Sequence, residues 1–290
     1  MKNFGIIAHL KRPNVELSAK LIIDWLKAEK LGCRVCEELI EGFHLSDKVL
    51  PEDEFYAGLD CILSLGGDGT ILTSVRRAGH FGIPVLGINV GRLGFLTEIL
   101  PEDLISALEK LKNDDYQLDE RMALQAQVEG GNGGCYWALN DFVLDHGDNT
   151  RLVKLDLYRN EQFVFPCNAD GLIISTPTGS TAYNLAAGGP VIHPHLAAII
   201  ASPICPHSLT LRPIIFDEQS RLTVEVASTD IDVRLTVDGQ IHCILEHGAK
   251  VHISKAPHKI KLIRIKPYSF FEILRTKLHW GGRPLTTEND

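Results

Sequence analysis

The chain lacks any apolar run of membrane-spanning length, so no transmembrane helix is expected. The apolar part of its opening segment, MKNFGIIAHLKRP, is too short for a secretory h-region and is followed by no cleavage site. Basic residues are not in excess: 29 Lys and Arg face 37 Asp and Glu, a net charge of −8. A broad electrostatic footprint for nucleic acid or an anionic membrane is therefore not expected. A cysteine-based metal site is missing too. Cys33 and Cys36 form a lone Cys-x-x-Cys with no second pair at matching spacing, and in an extended strand they point to opposite faces. Seven scattered cysteines, an odd number, suit free thiols in a reducing compartment, and a cytoplasmic location is expected. There is no internal repeat and no low-complexity tract. Three phosphate-handling signatures are absent as well: Gly-x-x-x-x-Gly-Lys-Ser/Thr, Gly-x-Gly-x-x-Gly, and the protein-kinase motif set.

What is present begins with a hydrophobic fraction of 44% over 290 residues, enough for a real core and for two domains. Residues 61–78 read CILSLGGDGTILTSVRRA. A short apolar run suits a strand buried on both faces. Gly66, Gly67 and Gly69 then let the backbone turn and come close to a ligand. Thr70 is predicted as the cap of a following helix, whose apolar face is Ile71, Leu72 and Val75. A glycine turn running into a helix N-terminus is a ready phosphate site. One carboxylate, Asp68, stands inside it. An acid among phosphates is costly unless it handles a metal or takes a proton; the plainer alternative is a tight turn in which Asp68 bonds nearby amides.

Strands and helices alternate through the first part of the chain. Strands are expected over 3–8, 33–39, 61–65 and 83–89, and helices from Pro13-Asn14, after Thr70 and over 101–111. The first helix is predicted to bury Leu17, Leu21, Trp25 and Leu26. A second glycine turn, Gly91 with Arg92, Leu93, Gly94 and Phe95, follows the fourth strand. This order predicts an α/β, Rossmann-like domain with a parallel sheet and ligands at the carboxyl ends of its strands. Near residue 116 the pattern changes to short strands with recurring turn signals, including one strand over CYWALNDFVL and an Asp238-Gly239 hairpin. The expected organisation is an α/β nucleotide-binding domain over 1–115, completed by 268–290, which is helical over 268–280 and returns to it, and a β-strand-rich domain over 116–267, with a site between them.

Residues 170–190 read DGLIISTPTGSTAYNLAAGGP. Thr176, Thr178, Gly179, Ser180 and Thr181 cluster at a strand end and helix start, where they offer donors to phosphate or ribose oxygens. Tyr183 adds a ring on which a base can stack. The plainer alternative is a Ser/Thr-rich turn capping a helix.

Together, the turn Gly66 to Thr70, the turn Gly91 to Phe95, Asn140-Asp141, the run 170–190, SPICPH at 202–207 and the tail 268–280 resemble the NAD kinase family over nearly the whole chain. The glycine turn alone is shared with diacylglycerol-type lipid kinases, whereas TPTGSTAYN followed by GGP is specific. The resemblance implies Mg²⁺-dependent transfer of phosphate from ATP to the 2′-hydroxyl of NAD's adenosine ribose, giving NADP. It implies the same two-domain fold and a homodimer or homotetramer. It implies Asp68 as proton acceptor, Gly69 against the nucleotide and Phe95 beside the adenine. Asn140 and Asp141 would hold the substrate's ribose, and Asp170 would bind near the nicotinamide end or the neighbouring subunit's ligand. Thr181, Ala182, Tyr183, Asn184, Leu185 and Ala186 would wrap the dinucleotide, with Arg151, Asn168 and Gln240 as further substrate contacts. Two departures stand out. Many members have Asn-Glu where this chain has Asn140-Asp141, and Ala186 replaces a frequent serine. A lipid kinase and a non-catalytic dinucleotide sensor remain as alternatives.

Other conspicuous residues read more plainly. His193 and His195 lack a third ligand nearby and suit a loop. Asp238 suits turn chemistry, Asp145 and Asp148 solvated loop positions, and Arg76-Arg77 a solvent-facing helix side with one of them able to reach ATP.

Overall fold

The computed structural model of the chain describes residues 1–9, 14–45, 49–91, 94–130, 133–147, 149, 151–229, 231–266 and 269–281. Pro13, Arg92, Leu93, Asp148 and Tyr268, named above, lie outside the described residues. The chain packs as two compact units: Met1–Ser74, Ile83–Asp119 and Leu262–Asp290 form one, Val75–Gly82 and Glu120–Lys261 the other. Among the described residues no helix is long and apolar enough to cross a membrane.

The first unit holds β1 (Asn3–Ala8), α1 (Val15–Ala28), β2 (Gly32–Val35), α2 (Glu37–Gly42), α3 (Glu52–Tyr56), β3 (Cys61–Gly66), most of α4 (Asp68–Ala78), β4 (Val85–Asn89) and α5 (Leu104–Lys112). Its strands are parallel in the order β2-β1-β3-β4. β3 and β4 are buried at every residue, as the continuous apolar runs predict for a sheet covered on both faces. Leu86 and Ile88 pack in one core with Ile22 and Leu26 of α1 and Leu104 and Leu108 of α5. Gly87, between them and so on the opposite face, lies against Ile71 of α4.

Four local expectations are corrected here. α1 leaves Leu17 and Leu21 72% and 43% exposed and buries Val15, Ser18, Ala19, Ile22, Ile23 and Leu26 instead. The buried stripe thus runs through small and β-branched residues one step round from the leucines. Asn14 precedes α1 with a left-handed φ of 66° and makes no side-chain cap. β2 ends at Val35, and the residues after it turn into α2. α4 begins at Asp68, so Thr70 sits inside it, with its hydroxyl in the space a Cβ on Gly66 would need.

The second unit is a β-sandwich. It comprises β5 (Gln117–Glu129), β6 (Gly134–Ala138), β7 (Asp141–Asp145), β8 (Val153–Arg159), β9 (Gln162–Ala169), β10 (Gly171–Ser175), α6 (Tyr183–Ala186), β11 (Ala198–Ile204), β12 (Ile214–Asp217), β13 (Leu222–Val226), β14 (Val233–Val237), β15 (Ile241–Leu245) and β16 (Lys250–Arg264). The first residues of β5 and the last of β16 belong to the first unit, as does α7 (Phe270–Leu278). One sheet is antiparallel in the order β12-β11-β10-β7-β14-β15. The other joins β9, β8, β13 and β16, with β5 on β16 and β6 on β5. Phe142, Leu144, Ile174 and Leu235 from the first sheet share a core with Leu155, Leu157, Val224 and Val251 from the second. Strict in-out alternation on β8 and β13 produces that core.

The single strand expected over CYWALNDFVL is two, β6 and β7, broken at Leu139-Asn140. The break has a physical cause. The amides of Leu139, Asn140 and Asp141 donate to the carboxylate of Asp238 at 3.0, 2.7 and 3.1 Å rather than to a strand neighbour.

Candidate active site

Within the first unit, β3 runs through Gly66-Gly67 straight into α4, which places Asp68 in its first turn. The Asp68 side chain reaches back to the segment after β4. Phe95 N–H donates to its Oδ2 at 2.8 Å, and Leu96 and Thr97 N–H donate to Oδ1 at 3.0 and 3.3 Å. Gly94 is required by this approach: a Cβ there would stand 1.9 Å from Asp68 Oδ1. Thr97 Oγ1 completes the nest by accepting from Gly94 N–H at 2.8 Å. Asp68 and Phe95 are half-buried, whereas Gly69 is exposed. Asn89, level with Gly66 in the sheet, is buried with its Nδ2 unpaired, while its Oδ1 accepts from Gly91 N–H. An orphan buried donor beside a glycine turn fits an acceptor-rich ligand.

Within the second unit, the Ser/Thr-rich run after β10 is mostly self-supporting. Thr176 Oγ1 donates to Leu139 O at 2.6 Å and accepts from Gly179 N–H. Ser180 Oγ donates to Pro177 O and accepts from Ile192 N–H. Asn184 is fully buried: Nδ2 donates to Ser180 O and Pro190 O, and Oδ1 accepts from Ser202 at 2.6 Å. The hydroxyls of Thr176 and Ser180 are therefore engaged within the loop and its neighbouring backbone, and Asn184 is one of its internal ties. Thr178 accepts from the buried guanidinium of Arg121 at 3.3 Å. Gly179 lies so close to the strand break that a Cβ would meet Asn140 O at 2.2 Å. The run 176–184 and Asn140-Asp141 are thus one rigid assembly.

Around it, Tyr183 keeps an exposed ring, and its phenol is raised above its usual range by burial first and then by Asp145, Cys205, Asp170 and Asp141. Asp145 pairs with Arg234 at 3.2 Å rather than lying free in a loop. Gln240 accepts from Arg76 at 2.6 Å, which takes that arginine off the solvent face. Thr181, Ala182 and Leu185 are half-buried and Ala186 is exposed. Arg151 and Asn168 are exposed, and neither side chain bonds to another described residue. Asp238 is the largest omission of the sequence reading. It is 6% exposed and carries the three amides of the strand break. Its place before Gly239, both at positive φ, made it look like ordinary turn chemistry. Arg121 was missed too; its only signal is a charged residue at a buried step of β5.

An acid held at a glycine turn and helix start, with a rigid hydroxyl-rich loop and an exposed ring in the second unit, belongs to a nucleotide-dependent phosphotransferase. Residues 4–116 match the family model described as the ATP-NAD kinase N-terminal domain, and residues 139–265 match the ATP-NAD kinase C-terminal domain. The NAD kinase of Geobacter sulfurreducens is 41% identical over 98% of this chain and 100% of its own. The NAD kinase of Geotalea daltonii is 38% identical over the same shares. The crystal structure of yeast NADH kinase complexed with NADH superposes with a TM-score of 0.91 at 25% identity, covering 99% of this chain and 90% of that one. The chain belongs to the NAD kinase family. It is an enzyme, a kinase that phosphorylates NAD at the expense of ATP, and the lipid-kinase and sensor alternatives find no support.

Proposed function

We propose that the chain transfers the γ-phosphoryl group of ATP to the 2′-hydroxyl of NAD's adenosine ribose, with Asp68 accepting the hydroxyl proton. The ribose oxygen forms a bond to phosphorus, the bond to ADP breaks, and the proton ends on Asp68. The observation that carries this role is the state of the Asp68 carboxylate. A carboxylate has about four lone-pair sites. Two on Oδ1 and one on Oδ2 are taken by the amides of 95–97, which leaves one on Oδ2 for a hydroxyl. The amides hold the group still, so its one remaining acceptor site has a fixed direction. In a loose transition state, positioning and charge neutralisation carry most of the rate. Mg²⁺ enters with ATP, on its phosphate oxygens, and supplies that neutralisation as part of the substrate.

The remaining assignments belong to the same proposal. Gly69 lies against the nucleotide and Phe95 beside the adenine. Asn140 and Asp141 hold the ribose, Asp170 serves the nicotinamide end or a neighbouring subunit's ligand, and the run 181–186 wraps the dinucleotide. Arg151, Asn168 and Gln240 add outer contacts. The assembly is a homodimer or homotetramer. Support comes from β12, an edge strand with Ile214 and Ile215 exposed and Leu209 88% exposed just before it. The cytoplasm is the proposed location, since all seven cysteines are free thiols.

The test is direct. Purified protein with MgATP and NAD forms NADP, and Asp68→Asn loses about 10²–10⁴-fold in kcat while its Kd for NAD stays within a few-fold. Undiminished turnover in that variant removes Asp68 from the role.

A further inference from the structure

The ribose-holding turn contains two buried acids in unlike surroundings. Asp238 is 6% exposed and Asp141 is 4% exposed. Asp238 has both oxygens engaged by the amides of Leu139, Asn140 and Asp141, at 2.7–3.1 Å. Burial raises the Asp238 carboxyl above its usual range overall, and the three amides and the positive field of Arg76, which is fixed by its bond to Gln240, act against that rise. The Asp141 carboxyl receives no hydrogen bond from any described residue, and its nearest charged influence is Asp238 itself. The other ionisable group coupled to it is the Tyr183 phenol, which is neutral near pH 7. Two neighbouring buried carboxylates do not both stay ionised. A proton on Asp238 would take away the charge that strengthens three amide bonds, whereas a proton on Asp141 weakens none.

We propose that Asp141 meets the substrate as a carboxylic acid, donating a hydrogen bond to a ribose oxygen, and that Asp238 is the positioning residue that keeps it in that form and fixes the backbone on which Asn140 and Asp141 stand. The inference rests on the assignment of Asp141 to the ribose. Burial first, and then the Asp238 charge, push the Asp141 carboxyl up to about 7, which places the acid form within reach of neutral pH.

Equilibrium binding of NAD to the whole enzyme, measured by calorimetry from pH 6 to pH 8.5, tests this without involving the chemical step. The parent's Kd rises as pH passes about 7. Asp141→Asn, whose amide is a neutral donor of the same shape, binds at pH 6 within about threefold of the parent and loses the pH dependence. A loss of about tenfold or more in Asp141→Asn at pH 6, or a parent Kd that falls with rising pH, means a bound carboxylate and overturns the proposal. Asp238→Asn weakens binding about tenfold at pH 6 and moves the midpoint of the pH dependence to lower pH; an unchanged midpoint overturns its role. If Asp238→Asn does not fold, the Asp141→Asn comparison still decides. Failure of the premise looks different: Asp141→Leu then leaves Kd unchanged, and the inference falls with it.

Discussion

Asp68 shows how much of a side chain's geometry is set by atoms far along the chain. Its carboxylate sits in the first turn of α4, yet the amides that aim it come from residues 27 to 29 positions later. Gly94 is the hinge of that arrangement, because a side chain there would occupy the place of Asp68 Oδ1. Gly94→Ala should therefore displace the carboxylate and break at least one amide contact. We expect kcat to fall about tenfold or more, with a smaller change in Kd for NAD, as read by steady-state kinetics and calorimetry. The place of Asp68 between a buried strand and a helix was legible from the glycine turn that carries it. Gly94 was legible only as a turn residue, because what it makes room for comes from another segment. Asp238 was not legible at all: an Asp-Gly pair between two alternating runs has a sufficient explanation as a hairpin tip.

Elements followed the hydrophobic period where it was unambiguous. The continuous apolar runs of β1, β3 and β4 gave buried parallel strands, and alternation gave β8 and β13, whereas KVHIS and IKLIRI, which read as two strands, run on as the single β16. α1 was harder because it carries apolar residues on two sides. Its true inner stripe includes Ser18 and Ala19, which periodicity weighs little, and excludes Leu17 and Leu21, which it weighs heavily. Chemical denaturation separates the two stripes. Ile22→Ala should cost about 2–5 kcal/mol, whereas Leu17→Lys should stay within about 0.5 kcal/mol of the parent. The loop after β10 makes a second prediction at this scale. Asn184→Ala removes three bonds and leaves Ser180 O, Pro190 O and Ser202 Oγ without that partner. A loss of about 3 kcal/mol follows, seen as a Tm lower by roughly 5–10 °C. The hydroxyls of this run were read as ligand donors from their density alone. A loop that must hold one shape uses the same residue types on itself.

For the molecule as a whole, the buried acid pair makes stability depend on pH in an uncommon direction. The Asp141 carboxyl ionises at about 7 in the fold against an ordinary value of 3.8. Asp238 is shifted the same way, chiefly by burial. Between those values the folded chain binds more protons than the unfolded one, so this contribution declines as pH rises from about 4 through 7 and is flat above. Urea titrations at pH 5.5 and pH 8 should show Asp141→Asn gaining on the parent at the higher pH, by an amount on the order of a few kcal/mol at most. A constant difference between parent and variant would show that Asp141 is ionised alike in both states. The two-part division into alternating and all-β segments was legible because the hydrophobic period changes from helical to two-residue spacing near residue 116. The chain's passage between units was not: Val75–Gly82 packs with the second unit although it continues a helix begun in the first.

The gap between β6 and β7 also governs how the backbone there meets solvent. β6 ends at Ala138 and β7 starts at Asp141, and loop backbone of that kind ordinarily trades its amide hydrogens with solvent quickly. Here a side chain stands in for the absent neighbouring strand. In heavy water, the peptide groups at 139–141 should take up deuterium as slowly as the strands on either side, and release of the hairpin tip at 238 should turn this quiet stretch into a fast-exchanging one.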